Sequence, residues 1–321
     1  MKTPVIVIGF NRPHVLERTL LALAQCYTVT ERAILLYVDG ARTQDEQSDI
    51  DAVINVAEKI RITLLPNLKI IVRKVNYGCQ KNICSAIKEV LDAVGRMCLI
   101  EDDVLVSRTF LQYMDDALEF YQDDLRIFNV NGYKPRYLRI HSWYKSDVYL
   151  DLRNHTSGWG IWKDRWDRVR FGLDDWDMFK NDEDNLKKLS MAGYDLYSMI
   201  ECQKLSPQLE AWDVQCTYHM VKNGMYSIAP RFSLTKNIGF GLESMHCKQY
   251  NPVMPTQKYY NFRPNLVRDI QTDKRILSQI PYVIQSPYIL TRCIRKLHRG
   301  LLRFSPSFFK PLEIRQGTLA T

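Results

Sequence analysis

Through the first part of the chain, short apolar runs alternate with segments of helical spacing. The runs Val5–Ile8, Ala33–Val38, Lys69–Arg73, Arg96–Ile100 and Arg126–Val130 predict strands, because short apolar runs bounded by polar residues suit strands buried on both faces. Val15, Leu16, Leu20 and Leu23 share one helical face, following Asn11-Arg12-Pro13, a helix-start signal. Ile83, Ile87, Val90, Leu91 and Val94 repeat that spacing, as do Phe110, Leu111, Met114, Ala117, Leu118 and Tyr121. Strands alternating with helices of this length predict an α/β fold, a mostly parallel sheet flanked by helices.

The pattern changes near residue 132. Residues 132–166 are rich in aromatics, and residues 172–188 alternate acidic and basic positions as a solvated helix-and-loop region would. A strand-like run returns at Met225–Ala229. These shifts divide the chain into parts at 1–131, 132–265 and 266–321. In the last part, Leu290, Ile294, Leu297, Leu301 and Phe304 fall on one helical face, and Arg292, Arg295, Lys296, Arg299 and Arg303 on the other. An amphipathic helix of this kind suits an anionic membrane surface, although a helix docked on the protein with a solvated basic face has the same pattern.

Charge sharpens this picture. The 321 residues carry a net charge of +8, and the stretch from Lys274 to Leu312 holds eight cations and no acid. The excess therefore belongs to one tail, and a basic isoelectric point here gives no reason to expect nucleic-acid binding. No apolar stretch has the length of a membrane span, and the N-terminus lacks a signal-peptide layout. The eight cysteines form neither a CxxC pair nor a zinc spacing. Free, mostly buried thiols in a reducing cytoplasm are expected.

The chemistry concentrates where Met97-Cys98-Leu99-Ile100 runs into Glu101-Asp102-Asp103. Ligands of open α/β sheets sit beyond the carboxyl ends of the strands. Three acids there repel one another and call for a cation. Hard oxygen ligands suit Mg²⁺ or Mn²⁺, ions that commonly carry phosphates, so a metal-bound nucleotide is expected; a plain acidic turn is the alternative. Arg12, after the first strand, matches phosphate oxygens. Asp39, after the second, can accept from a base or ribose, or simply make an Asp-Gly turn. Asn76-Tyr77-Gly78 ends the third strand. His246 is a candidate phosphate or metal ligand, His155 a weaker one, and Trp159 a candidate for stacking on a sugar.

Pro4-Val5-Ile6-Val7-Ile8-Gly9-Phe10-Asn11-Arg12-Pro13, Glu101-Asp102-Asp103, Gly158-Trp159-Gly160-Ile161-Trp162, Trp212-Asp213, Arg231-Phe232-Ser233-Leu234-Thr235 and Phe240-Gly241 followed by His246 occur in one order. That order resembles the N-glycan branch-initiating N-acetylglucosaminyltransferase family, which has the GT-A glycosyltransferase fold; the likeness spans residues 4–247. It implies that Asp103 binds the metal, Asp102 meets the ribose, Glu101 meets the donor sugar, and Asp39 reads the uracil with Arg12 beside it. It further implies that Asp213 is the catalytic base and that Phe240-Gly241 begins a loop that orders over the donor. The chain departs from the family in having Val214-Gln215 after Trp212-Asp213, in lacking the family's N-terminal anchor and stem, and in its tail beyond residue 250.

The resemblance implies a metal-dependent, inverting hexosyl- or N-acetylhexosaminyltransferase with a UDP-sugar donor and Mn²⁺ or Mg²⁺. The departures suggest a bacterial relative acting in surface polysaccharide synthesis on a glycan or lipid-linked glycan. Residues 1–131 would bind the nucleotide sugar, residues 132–265 would supply the acceptor site and base, and the tail would hold the enzyme at the inner face of the cell membrane. The alternatives are a sugar-nucleotide nucleotidyltransferase, against which the single glycine of Gly9-Phe10-Asn11-Arg12-Pro13 counts, and a non-catalytic membrane-associated scaffold.

Overall fold

The computed structural model describes residues 2–206, 211–239 and 257–283. The chain begins β1 (Val5–Gly9), α1 (Pro13–Ala24), β2 (Ile34–Val38), α2 (Asp45–Thr63), β3 (Leu68–Val72), α3 (Cys79–Val94) and β4 (Arg96–Glu101). A tight turn at Asp102-Asp103 leads to β5 (Val104–Val106), then α4 (Phe110–Phe120), β6 (Ile127–Asn131), β7 (Val148–Asp151) and β8 (Trp159–Trp162). Helices α5 (Lys163–Trp166), α6 (Trp176–Lys180), α7 (Glu183–Ala192), α8 (Leu196–Leu205) and α9 (Trp212–Lys222) follow, then β9 (Tyr226–Pro230) and β10 (Thr235–Asn237). Two short helices, α10 (Lys274–Leu277) and α11 (Ile280–Val283), come last.

Eight strands form one sheet in the order β3-β2-β1-β4-β8-β6-β9-β7. The pairs β3–β2, β2–β1, β1–β4 and β6–β9 are parallel, while β4–β8, β8–β6 and β9–β7 are antiparallel. The expected α/β architecture is present, with strands at every predicted run. β8, read from the sequence only as a Gly- and Trp-containing segment, is inserted between β4 and β6. Strands from both sides of residue 132 thus share one sheet. Gly160 makes the insertion possible: a Cβ there would lie 3.0 Å from the Met97 carbonyl oxygen and 2.9 Å from Leu118 Cδ1.

Alternation along the strands builds two cores. Val5, Val7, Cys98 and Ile100 point to the face covered by α1, α2 and α4, and Ile6, Met97 and Leu99 to the face covered by α3 and α9. A third core joins α6–α8 to the far side of α9 through Trp176, Phe179, Leu189, Leu196 and Tyr218. The charged stretch 172–188 therefore does more than face solvent: Leu173, Trp176 and Phe179 are buried, although Met178 is exposed. Ile276, Leu277 and Ile280 pack on Tyr149 and Ala229 at the β7–β9 edge. None of the described cysteines forms a disulfide, and Cys26, Cys98 and Cys216 are buried. No helix among the described residues is long and apolar enough to cross a membrane.

One buried ion pair ties the N-terminus to α4. Arg32, whose side chain is fully buried, donates to Asp115 at 2.8 and 3.1 Å, and Asp115 also accepts from the Thr3 amide at 3.0 Å. Burial opposes the Asp115 charge, but Arg32 and Thr3 outweigh it and hold the carboxyl below its usual range. A depressed carboxyl contributes stability above the unfolded value, about 3.8, that is lost as pH falls through the native value. Asp115→Ala strands the Arg32 charge, so denaturant titration at pH 7 should show a loss of about 3–5 kcal/mol. The gap between variant and wild type should narrow below pH 4.

Candidate active site

Strand register brings the candidate residues to one edge. In the parallel ladders Ile8 pairs Glu101 and Gly9 pairs Val38, so the segments leaving β1, β2 and β4 emerge side by side. Arg12, Asp39 and Asp102-Asp103 lie on those segments. Val72 pairs Val38, which adds the Asn76–Gly78 loop to the same edge.

Arg12 lies against the acids. Its Nε donates to Asp102 Oδ2 at 3.1 Å, and Nη2 donates to Asp102 Oδ1 and, at 3.1 Å, to Asp103 Oδ2. Burial disfavours the guanidinium charge, but Asp102 and Asp103 outweigh burial and raise its pKa. The cation that the acidic run calls for is thus supplied in part by the chain itself. Thr19 on α1 fixes the turn by donating to the Asp102 carbonyl at 2.6 Å. Loss of hydration, and then Asp103, Asp102 and Asp213, push the Glu101 carboxyl well above its usual range. Asp102 is also raised, by burial first and against the pull of Arg12.

Asp103 is framed by β10, which pairs antiparallel with β5. Asn237 Nδ2 donates to Asp103 Oδ1 at 3.1 Å, and the Ile238 amide to the Asp103 carbonyl at 2.7 Å. Gly239 passes so close that a Cβ there would overlap Asp103 Oδ2. Neither Asn237 nor Gly239 stood out in the sequence; their only signal was adjacency to Phe240-Gly241. Phe240, Gly241 and His246 lie outside the described residues, as does the basic segment 288–304.

Asp213 stands in the first turn of α9, inside the helix, since Ala211 is the cap. It reaches this edge because Trp212 stacks on Trp159 at 5.5 Å between ring centroids, with Trp166 edge-on to Trp212 at 6.4 Å. Trp159 is fully buried and cannot stack on a sugar; its place in β8, covered by α9, makes it a core residue. Burial raises the Asp213 carboxyl, partly offset by Arg153. Arg153 is itself clamped on Asp195 by two 2.8 Å bonds, a pair 42 residues apart that carries no sequence signal. Cys79, though open to solvent on one side, sits among these groups: loss of hydration, then Glu101 and Asp213, push its thiol up to about 12.

Asp39 has a different task. Its Oδ1 accepts from the Gly40 and Tyr77 amides at 2.9 and 2.8 Å, and its Oδ2 from the Gly78 amide and Asn76 Nδ2 at 2.9 and 3.2 Å. All four acceptor directions of the carboxylate are taken, so Asp39 shapes the loop ahead of α3. His155 rests on Asp151, its Nε2 3.4 Å from Asp151 Oδ2.

Among the described residues, no group of three or more His, Cys, Asp or Glu side chains is arranged to hold a metal ion by itself. Asp103 alone fits a more modest demand, because Mg²⁺ is commonly held by one or two carboxylates with substrate phosphates and water completing the shell. The chemistry available at this edge is an anchored carboxylate corner, one guanidinium, and a raised carboxylate at a helix start.

No family model matches the chain, and no curated protein matches it. Among solved structures it is similar to Staphylococcus aureus TarS 1–349 in complex with UDP, at 22% identity over 58% of this chain and 53% of that one, with TM-score 0.37. It is similar to the mannosyltransferase PcManGT from Pyrobaculum calidifontis in complex with GDP-Man and Mn²⁺, at 17% identity over 54% and 48%, TM-score 0.38. The galactosyltransferase LgtC matches at 12% identity over 70% and 73%, TM-score 0.36. The chain thus spans about half the length of the first two, and the likeness is partial.

The Arg12 contact gives a direct test. Arg12→Met leaves buried Asp102 without its partner, and chemical denaturation should show a loss of about 3–5 kcal/mol. A loss below about 1 kcal/mol, the range of exposed pairs, would mean the acids do not depend on it.

Proposed function

We propose that the chain is a GT-A glycosyltransferase that moves a sugar from a UDP-sugar to a hydroxyl of a glycan acceptor with inversion. One observation carries this: the acidic turn at the end of the central strand β4, anchored by Arg12, with Asp213 close enough to raise Glu101. That arrangement supplies a place for a diphosphate with its cation and, beside it, a base.

Asp103 would hold Mn²⁺ or Mg²⁺ together with the donor's phosphates. When bound, the ion stabilises the negative charge gained by the departing diphosphate. Asp102, oriented by Arg12, would meet the ribose and Glu101 the donor sugar. Asp39 would act on the uracil through the Asn76–Gly78 loop it shapes. Asp213 would take the proton of the attacking hydroxyl, and burial makes it a stronger base than an exposed aspartate. A single base aligned for one displacement gives inversion without a covalent intermediate. Phe240 and Gly241 follow Gly239 in sequence and, with His246, would complete the donor side, His246 as a further metal or phosphate ligand.

The acceptor in this proposal is a glycan or lipid-linked glycan of a surface polysaccharide, met at the cytoplasmic face of the membrane. The basic amphipathic pattern at 288–304 supports a peripheral attachment to anionic lipid. Removing residues 285–321 should abolish sedimentation with anionic liposomes; unchanged sedimentation would refute the attachment.

Donor binding is tested by thermal shift. Mn²⁺ with UDP should raise the melting temperature through binding to the native state, and Asp103→Ala should abolish that rise. Asp213→Asn should keep the rise but lower transfer to an acceptor by about 10²–10⁴-fold, the usual worth of a general base. A full rise with Asp103→Ala would overturn the metal assignment, and unchanged turnover with Asp213→Asn the base.

A further inference from the structure

A cleft of about 320 Å³ opens beside β10, away from the acidic corner, at the small end of the range for small-molecule sites. Its described lining includes Lys134, Arg136, Arg231 and Lys258 and no acid. Lys134 Nζ donates only to carbonyls, to Pro135 at 2.9 Å and Leu138 at 2.7 Å. Burial with no counter-ion pushes its pKa down to about 8. The Arg231 guanidinium is likewise aimed by neutral partners, the carbonyls of Tyr144 at 2.6 Å and His141 at 3.1 Å. Neither side chain pairs with a carboxylate among the described residues, and backbone carbonyls hold both in place.

Two further features narrow what would bind there. Gln257 is 5% exposed, and its Nε2 donates to the carbonyls of Lys134 and Lys258 at 3.1 and 3.2 Å, which fixes the amide's orientation. Its buried Oε1 has no partner and would accept from a ligand hydroxyl. Phe232 and Tyr260, 43% and 45% exposed with ring centroids 5.5 Å apart and planes tilted by 55°, present aromatic surface to the cleft. Cations for an acidic group, a carbonyl for a hydroxyl and rings for a C–H face together describe a saccharide bearing negative charge.

We propose that this cleft binds an anionic saccharide unit of the acceptor, carrying a carboxylate or a phosphate ester. This rests on the glycosyl-transfer proposal for its biological sense. Ser233 lines the cleft and Asn237 holds Asp103. Three residues lie between them, with a bend at Leu234 ahead of β10, so the two are at most about 13 Å apart along the chain. The cleft is therefore close enough to the acidic corner to hold another unit of the same molecule.

The test titrates the full chain with glucuronic acid, glucose 6-phosphate, inorganic phosphate and glucose, followed by ligand-observed NMR. At least one of the two anionic sugars should bind about tenfold more tightly than both glucose and inorganic phosphate, the worth of a charge-assisted contact added to a sugar contact. Which of the two binds separates a carboxylate from a phosphate ester. Combining Lys258→Glu with Arg136→Glu should weaken that sugar about tenfold or more, whereas Lys258→Arg should not. Equal binding of charged and neutral sugars, equal binding of phosphate and sugar phosphate, or indifference to the charge reversal would overturn the proposal. The Mn²⁺–UDP thermal shift of the double variant should match wild type, which shows the protein is folded. If wild type lacks that shift yet binds the anionic sugar, the donor assignment fails and this site stands.

Discussion

Everything at the carboxyl edge of this sheet depends on how adjacent carboxylates are tolerated at the end of a buried strand. Desolvation pushes the Glu101 and Asp102 carboxyls up. Arg12 opposes this for Asp102 by engaging both of its oxygens, and reaches Asp103 with the same nitrogen. The arrangement requires the β1–β4 register, since the segment after Gly9 must emerge beside the segment after Glu101. It also requires α1, whose Thr19 fixes the turn that carries the acids. One guanidinium cannot balance Glu101, Asp102 and Asp103, and the raised Glu101 marks the remainder. The corner thus keeps unmatched negative charge, which is what the proposed cation and its phosphates would meet.

Asp213 reaches this corner by packing. β8 enters the sheet antiparallel, with Gly160 admitting it against β4, and Trp159 then offers its ring to Trp212. Aromatic contacts of this kind add about 0.5–1.5 kcal/mol beyond the area they bury, and here they also set where α9 begins. The third core, with α6–α8 behind α9, backs the same helix from its other side. In the proposed reaction, a base held in the first turn of a packed helix would lose little freedom when substrate binds, which is what positioning contributes to rate.

The sequence made the parallel half of the sheet legible because strands covered on both faces must be continuously apolar. It made the acidic corner legible for the same reason: an apolar run that stops at three carboxylates marks a strand end. β5, β7, β8 and β10 were not foreseen. They have three or four residues each, and Trp-Gly-Ile-Trp or Thr-Lys-Asn acquires strand geometry only from its partner. The same limit hid Arg153–Asp195, Asn237 and Gly239, whose roles exist through contacts between distant segments. Asp39 was visible as a polar residue at a strand end, but whether its oxygens were free depended on a loop 37 to 39 residues away.

Charge is sorted along β10. At its far end Asn237 touches a corner with surplus acid, and before its near end Ser233 borders a cleft whose described lining holds four basic side chains and no acid. An anionic ligand is repelled from the first place unless it arrives with a cation, and attracted to the second without one. Exposed charges at this separation are largely screened at physiological salt, but groups within clefts are screened much less. On the proposals above, the two surfaces would discriminate between a diphosphate carrying its metal and an acid that carries none. An extended substrate bearing a negative unit would be turned one way round along the strand, with its charged part in the cleft and its neutral end toward Asp213. Orientation would then follow from the sign of two local charges, which act before any contact to a hydroxyl is made.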